Sequence, residues 1–138
     1  MKEQLITFQT AKLAKEKGFD EVWCDYTYCI DYNTVPEDKE IIKCDRRDNV
    51  KGQFHLALAP TQSLMQKWLR DKHRIHIESS PYNTEDFKLY YGVGLIFLDT
   101  LTKENWDVDE LVNHQIPDMF DSYEDALESG IVEALKLI

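Results

Sequence analysis

A chain of 138 residues with a formal net charge of −10, 43% hydrophobic and 30% charged side chains, is neither disordered nor a membrane protein by composition. No apolar run approaches the roughly 20 residues of a membrane span, and the N-terminus lacks the apolar stretch of a secretory signal. A single cytoplasmic domain over residues 1–138 is expected, long enough to bury a core without a disulfide or metal.

The first element is a helix over 7–18. Thr7 has the side chain to cap it, Ile6 and Ala11 stand where a hydrophobic staple forms, and Gly18 supplies a left-handed stop. A long strand follows: Val22, Cys24, Tyr26, Tyr28, Ile30 and Tyr32 share one parity, and Trp23, Asp25, Thr27, Cys29 and Asp31 the other. Residues 33–39, with Pro36, read as a turn, 40–45 as the returning strand, 46–52 as a polar turn and 54–58 as a third short strand.

The second helix runs from Pro60, at the first helical position, to His73. Leu64, Met65, Trp68 and Leu69 recur at helical spacing, then Ile75 and Ile77 alternate with His76 and Glu78 as in a half-buried strand. Residues 80–84 read as a turn. Phe87, Leu89, Tyr91, Val93, Leu95 and Phe97 form one face of a further strand whose other face carries Gly92 and Gly94. Two glycines there admit close approach, by a neighbouring aromatic ring or by a ligand.

The stretch 100–120 is too long for a bare loop, so a short helix is expected around Asp107 to Val112, closed by Pro117. The last helix spans 122–138, with Tyr123, Leu127, Ile131, Ala134 and Ile138 as its apolar stripe. The order predicts an α+β fold: a mostly antiparallel sheet of four to five strands, with three main helices packed largely on one face.

Three stretches, residues 6–19, 59–78 and 122–138, resemble a recurrent family of small uncharacterised proteins from phages and mobile elements of gut bacteria. The runs Pro60-Thr61-Gln62-Ser63 and Trp68-Leu69-Arg70 are the most specific part. The resemblance implies an origin on mobile DNA and no particular activity. Segments 99–120 and 33–52 depart from the pattern.

Charge is unevenly spread. Residues 99–138 hold eleven acids against Lys103 and Lys136, a balance of −9, whereas residues 1–98 nearly balance. An acidic segment at 99–128 repels nucleic acid and anionic lipid and attracts basic surfaces. Asp107, Asp109, Glu110, Asp118, Asp121, Glu124 and Asp125 are the candidate contacts to a basic protein partner. Against that, such carboxylates also serve as a solvated face, or fold back onto Lys39, Lys43, Arg46, Arg47 and Lys51. Lys67, Arg70, Lys72 and Arg74 surround Trp68, but the overall charge opposes phosphate contacts, and Trp68 belongs to an apolar stripe. No nucleic acid, membrane, metal or cofactor is therefore expected; the oligomeric state is not fixed by the sequence.

Catalytic signatures are sparse. The five glycines are too scattered for a phosphate loop. Three cysteines, Cys24, Cys29 and Cys44, form no CxxC pair, suggest no disulfide framework and read as plain buried thiols. His73, His76 and Glu78 are the nearest approach to a metal cluster, yet His73 at a helix C-terminus is stabilised by the dipole alone. A non-enzymatic interaction protein is the leading expectation. The alternative is a hydrolase or metal-dependent enzyme using histidines within 55–78.

Overall fold

The computed structural model describes residues 3–21, 23–31, 41–47, 51–100 and 114–138. The chain forms two compact units, residues 1–64 and 65–138.

Unit 1 begins with α1, Phe8–Glu16. Thr7 caps it as expected: its Oγ1 accepts the Thr10 amide at 3.3 Å. At the other end Phe19 N–H donates to the Ala14 carbonyl at 3.0 Å and Gly18 N–H to Lys15 at 3.1 Å, the paired bonds of a Schellman turn. Gly18 takes φ +88, which only glycine adopts without steric cost. Ile6, Ala11, Ala14 and Phe19 are buried.

The unit 1 sheet is antiparallel with order β2-β1-β3, where β1 is Tyr26–Asp31, β2 Ile41–Asp45 and β3 Gln53–Leu58. The strand expected from Val22 starts only at Tyr26, after a turn closed by Cys24 N–H to the Glu21 carbonyl at 3.2 Å. The polar-looking parity of β1 is the buried one: Thr27 and Cys29 are inside, and Tyr26 is exposed. A bulge between Tyr28 and Cys29 shifts β3 by one residue, setting Thr27 opposite Leu58 and Cys29 opposite His55. The Tyr28 hydroxyl reaches the Ile6 carbonyl, and its ring meets Phe8 edge-on at 5.5 Å.

The expectation of three free thiols is corrected. Cys29 and Cys44 form a disulfide across β1 and β2, with Cα atoms 6.4 Å apart. In the ladder Thr27 faces Cys44 and Cys29 faces Ile42, so the cysteines are diagonal neighbours on one face. Spacing along the sequence does not show that juxtaposition. Cys24 is the free cysteine, buried, and burial pushes its thiol up.

Helix α2, Gln62–His73, begins at the end of unit 1 and continues into unit 2. The helix starts at Gln62, so Pro60 is not its first residue, and Thr61 is its cap: Thr61 Oγ1 accepts the Leu64 amide at 3.2 Å. Pro60 instead offers its carbonyl to Ile6 N–H at 3.0 Å, and Leu5 bridges Thr61, so the connection is already held as extended chain before the helix starts. Met65, Trp68 and Leu69 are buried, the expected stripe.

Unit 2 holds a second antiparallel sheet, order β4-β5-β6, with β4 Ile75–Asn83, β5 Leu89–Phe97 and β6 His114–Phe120. The α+β class and antiparallel pairing are as expected. The single sheet of four to five strands is replaced by two three-stranded sheets among the described residues, because α2 intervenes between β3 and β4 and because 114–120 is a strand. Residues 80–83, read as turn, continue β4. Pro117 does not end a helix; it sits in β6, an outer strand, where the missing N–H interrupts no ladder bond. The helix expected over 107–112 lies outside the described residues.

Helix α3, Tyr123–Lys136, is capped by Ser122, whose Oγ accepts the Asp125 amide at 3.1 Å. It covers the sheet face formed by Ile75, Ile77, Val93, Leu95 and Ile116. Gly130 permits the close approach: a Cβ there would lie 2.7 Å from Ile77 Cγ2 and 2.8 Å from Val93 Cγ2.

Candidate functional site

The predicted acidic contacts divide. Asp107, Asp109 and Glu110 lie outside the described residues. Asp118, Asp121, Glu124 and Asp125 are all exposed and gather where β6 turns into α3. Glu124 and Asp125 occupy the first helical turn, where the unpaired amides favour negative charge. Asp121 pairs with Lys88 at 3.3 Å, which ties this turn to the β4–β5 hairpin loop. The Tyr90 hydroxyl and then Asp121 hold the Lys88 ammonium above its ordinary value. Elsewhere among the described residues, Asp99 meets Arg74 at 3.2 Å, and Glu133 meets Lys136 at 2.8 Å.

What the sequence did not announce is the apolar company of these carboxylates. Met119 and Tyr123, interleaved with them, are exposed. Tyr91 stands opposite Phe120 in the ladder and meets Tyr123 edge-on at 6.0 Å. Across the Lys88–Asp121 bridge, the hairpin displays Leu89 and Phe87, and Phe87 is 89% exposed. Phe87 also takes φ +60, a conformation costly for an aromatic residue. Among the described residues, one end of unit 2 therefore carries carboxylates, one bridging lysine and four exposed apolar side chains. The signal available beforehand was Met119-Phe120 inside an acidic run, but loop and edge strand look alike over such a short stretch.

Gly92 lies under a ring of its own sheet: a Cβ there would come within 2.6 Å of Tyr82 Cε2. Gly94 faces Glu78 on one side and Gln115 on the other in the ladder. On the same sheet face His76 Nε2 stands 3.7 Å from Glu78 Oε2, and Ser80 Oγ donates to Glu78 Oε1 at 3.3 Å. His73 packs edge-on to Trp68 at 4.5 Å, and burial holds its imidazole below the ordinary value. Among the described residues no group of three or more His, Cys, Asp or Glu side chains converges to hold a metal.

His55 belongs to a feature of unit 1 that sequence reasoning missed, a cleft of ≈ 520 Å³. Phe19, Leu56, Ala57 and Leu58 give it apolar walls, and Lys15, Asp20, Thr27, Arg46 and His55 its polar groups. Lys15 Nζ donates to the Leu56 carbonyl at 2.8 Å, and Arg46 Nη1 to Glu21 at 3.1 Å. Thr27 Oγ1 donates to the Tyr28 carbonyl at 3.2 Å and stands 2.9 Å from His55 Nδ1. The hydroxyl has one proton, so it donates to only one of these two partners at a time, and donor and acceptor in the His55 contact follow the imidazole tautomer. These residues are scattered from 15 to 58, and only the Schellman turn and the β1 bulge bring them together. Comparison with protein-family models, curated proteins and solved structures gives no match.

Proposed function

We propose that the protein is a non-enzymatic interaction protein of a phage or mobile element, which captures a basic protein through the acidic, apolar-studded end of unit 2. The observation that carries this reading is the joint exposure of Asp118, Asp121, Glu124 and Asp125 with Met119, Tyr123, Phe87 and Leu89. Carboxylates alone are an ordinary solvated face. Apolar anchors set among them have the make-up of an interface, in which apolar side chains supply affinity and charge supplies rate and partner choice. The resemblance of the three stretches to mobile-element proteins supports the origin, and a basic host protein that normally grips DNA is the chemistry such a surface fits.

The test uses two synthetic helical peptides of equal positive charge, one with leucines interspersed and one with serines. Fluorescence anisotropy with the full chain is expected to show saturable binding of the leucine peptide, weakening as salt rises, and little binding of the serine peptide. Asp118→Asn, Asp121→Asn, Glu124→Gln and Asp125→Asn together should reduce affinity at least about tenfold. Equal binding of both peptides, or full affinity in the neutralised variant, would sink the proposal.

A further inference from the structure

The cleft of unit 1 has a composition unlike the acidic end of unit 2 and no part in the function proposed above. Its volume, ≈ 520 Å³, falls in the range of small-molecule sites. Its walls are apolar, and among the described residues its charged groups are two cations, Lys15 and Arg46, against one carboxylate, Asp20.

Both cations are held in place by backbone carbonyls and keep donors to spare. Lys15 uses one of three N–H bonds on Leu56, and the Arg46 guanidinium uses one of five on Glu21. Arg46 is fixed further by its own amide, which donates to the Asp25 carbonyl at 2.8 Å. Pre-positioned donors beside an apolar wall lower the ordering cost of binding an anion. Among the described residues neither cation is paired with a carboxylate, in contrast to Arg47, which meets Asp45 at 3.0 Å.

We propose that this cleft binds a small amphiphilic monoanion, an apolar carbon body bearing one carboxylate, with the carboxylate on Lys15 and Arg46 and the carbon body against Phe19, Ala57 and Leu58. A single negative charge is the match, because the described lining, with Lys15 and Arg46 against Asp20, carries a net charge of +1, and a dianion would bring a second charge to an apolar wall. Charge-assisted hydrogen bonds to the carboxylate make the head group the source of selectivity, and the apolar wall makes chain length the source of affinity.

The experiment is a titration of the isotope-labelled full chain followed by amide NMR, with octanoate as the probe and octanol and octyl phosphate as its neutral and dianionic counterparts. Octanoate is expected to shift the amides of Gly18, Phe19, Ala57 and Leu58 saturably. Octanol should bind about tenfold more weakly, the loss of roughly one charge-assisted bond, and octyl phosphate no more tightly than octanoate. Lys15→Gln and Arg46→Gln should each weaken octanoate several-fold and leave octanol unchanged, with amide spectra otherwise intact. Octanol binding as well as octanoate, octyl phosphate binding more tightly, shifts confined to residues 87–125, or no saturation would each overturn the proposal. The octanol comparison needs no variant and stands even if a substitution disturbs the fold.

Discussion

Gly130 and Gly92 are both glycines that a methyl group would crowd, and the outcomes should differ. At Gly130 the clashing atoms are methyls of Ile77 and Val93, both buried and β-branched, with little freedom at χ1. Gly130→Ala gains about 1 kcal/mol of helix propensity but incurs overpacking of about 1–3 kcal/mol. A net loss of about 1 kcal/mol is expected in urea unfolding. At Gly92 the obstacle is the ring of Tyr82, an exposed side chain that can swing aside, so Gly92→Ala should cost less than about 0.5 kcal/mol. Phe87 offers the opposite case. Its φ of +60 costs about 1–2 kcal/mol, and glycine would relieve this while giving back about 0.5–1 kcal/mol in unfolded-chain entropy. Phe87→Gly is expected to stabilise the fold slightly and to weaken the leucine peptide, a trade that calorimetry and anisotropy read separately. His73 sets a pH dependence. Burial lowers its folded pKa below the ordinary 6.5, so the unfolded chain binds the proton more readily. The stability it confers is full above that ordinary value and is lost as pH falls through the lower folded value. Thermal melts between about pH 7 and about pH 5 should fall more steeply for the wild type than for His73→Phe; parallel curves would remove His73 as the cause.

At the scale of elements, the disulfide makes the sharpest prediction. Denatured without reductant, the protein should titrate one thiol, Cys24, and after reduction three. With the bridged positions 15 apart in sequence, reduction should lower stability by about 3 kcal/mol on the chain-entropy account. Helices were the most legible elements. Thr7, Gly18 and Ser122 act at the ends their side chains suggested, because caps are local chemistry. Strands were legible where alternation was long, as in β5, and failed where a second partner decided the outcome. β6 carries a proline and little alternation, and only its pairing with β5 makes it a strand. The buried face of β1 could not be told from parity, since Thr27 and Cys29 look no more apolar than Tyr26 and Tyr28. The exposed carboxylates were legible as charge. Their apolar neighbours and the unit 1 cleft were not, because each is assembled from turns and loops distant in sequence.

For the whole molecule, net charge is expected to keep exposed apolar groups apart. Trp23 is 79% exposed, and Phe54 and Phe87 are also largely uncovered. A charge of −10 opposes their association at neutral pH. Near the isoelectric point of about 4.8 enough carboxylates are protonated to cancel the net charge, and that repulsion disappears. Light scattering should then rise, reversibly, and the fourfold neutralised variant should begin to scatter at a higher pH. A constant signal through the acid range would assign solubility to something other than charge. The unit 2 sheet adds a safeguard of another kind. Among the described residues its two outer strands each contain a proline, Pro81 in β4 and Pro117 in β6, and a proline in a strand paired on one side denies an amide to the other side. A foreign strand trying to zip onto either margin meets an interrupted row of donors. A partner docking here would have side chains rather than an unbroken backbone to read, so single substitutions would suffice to change what is recognised.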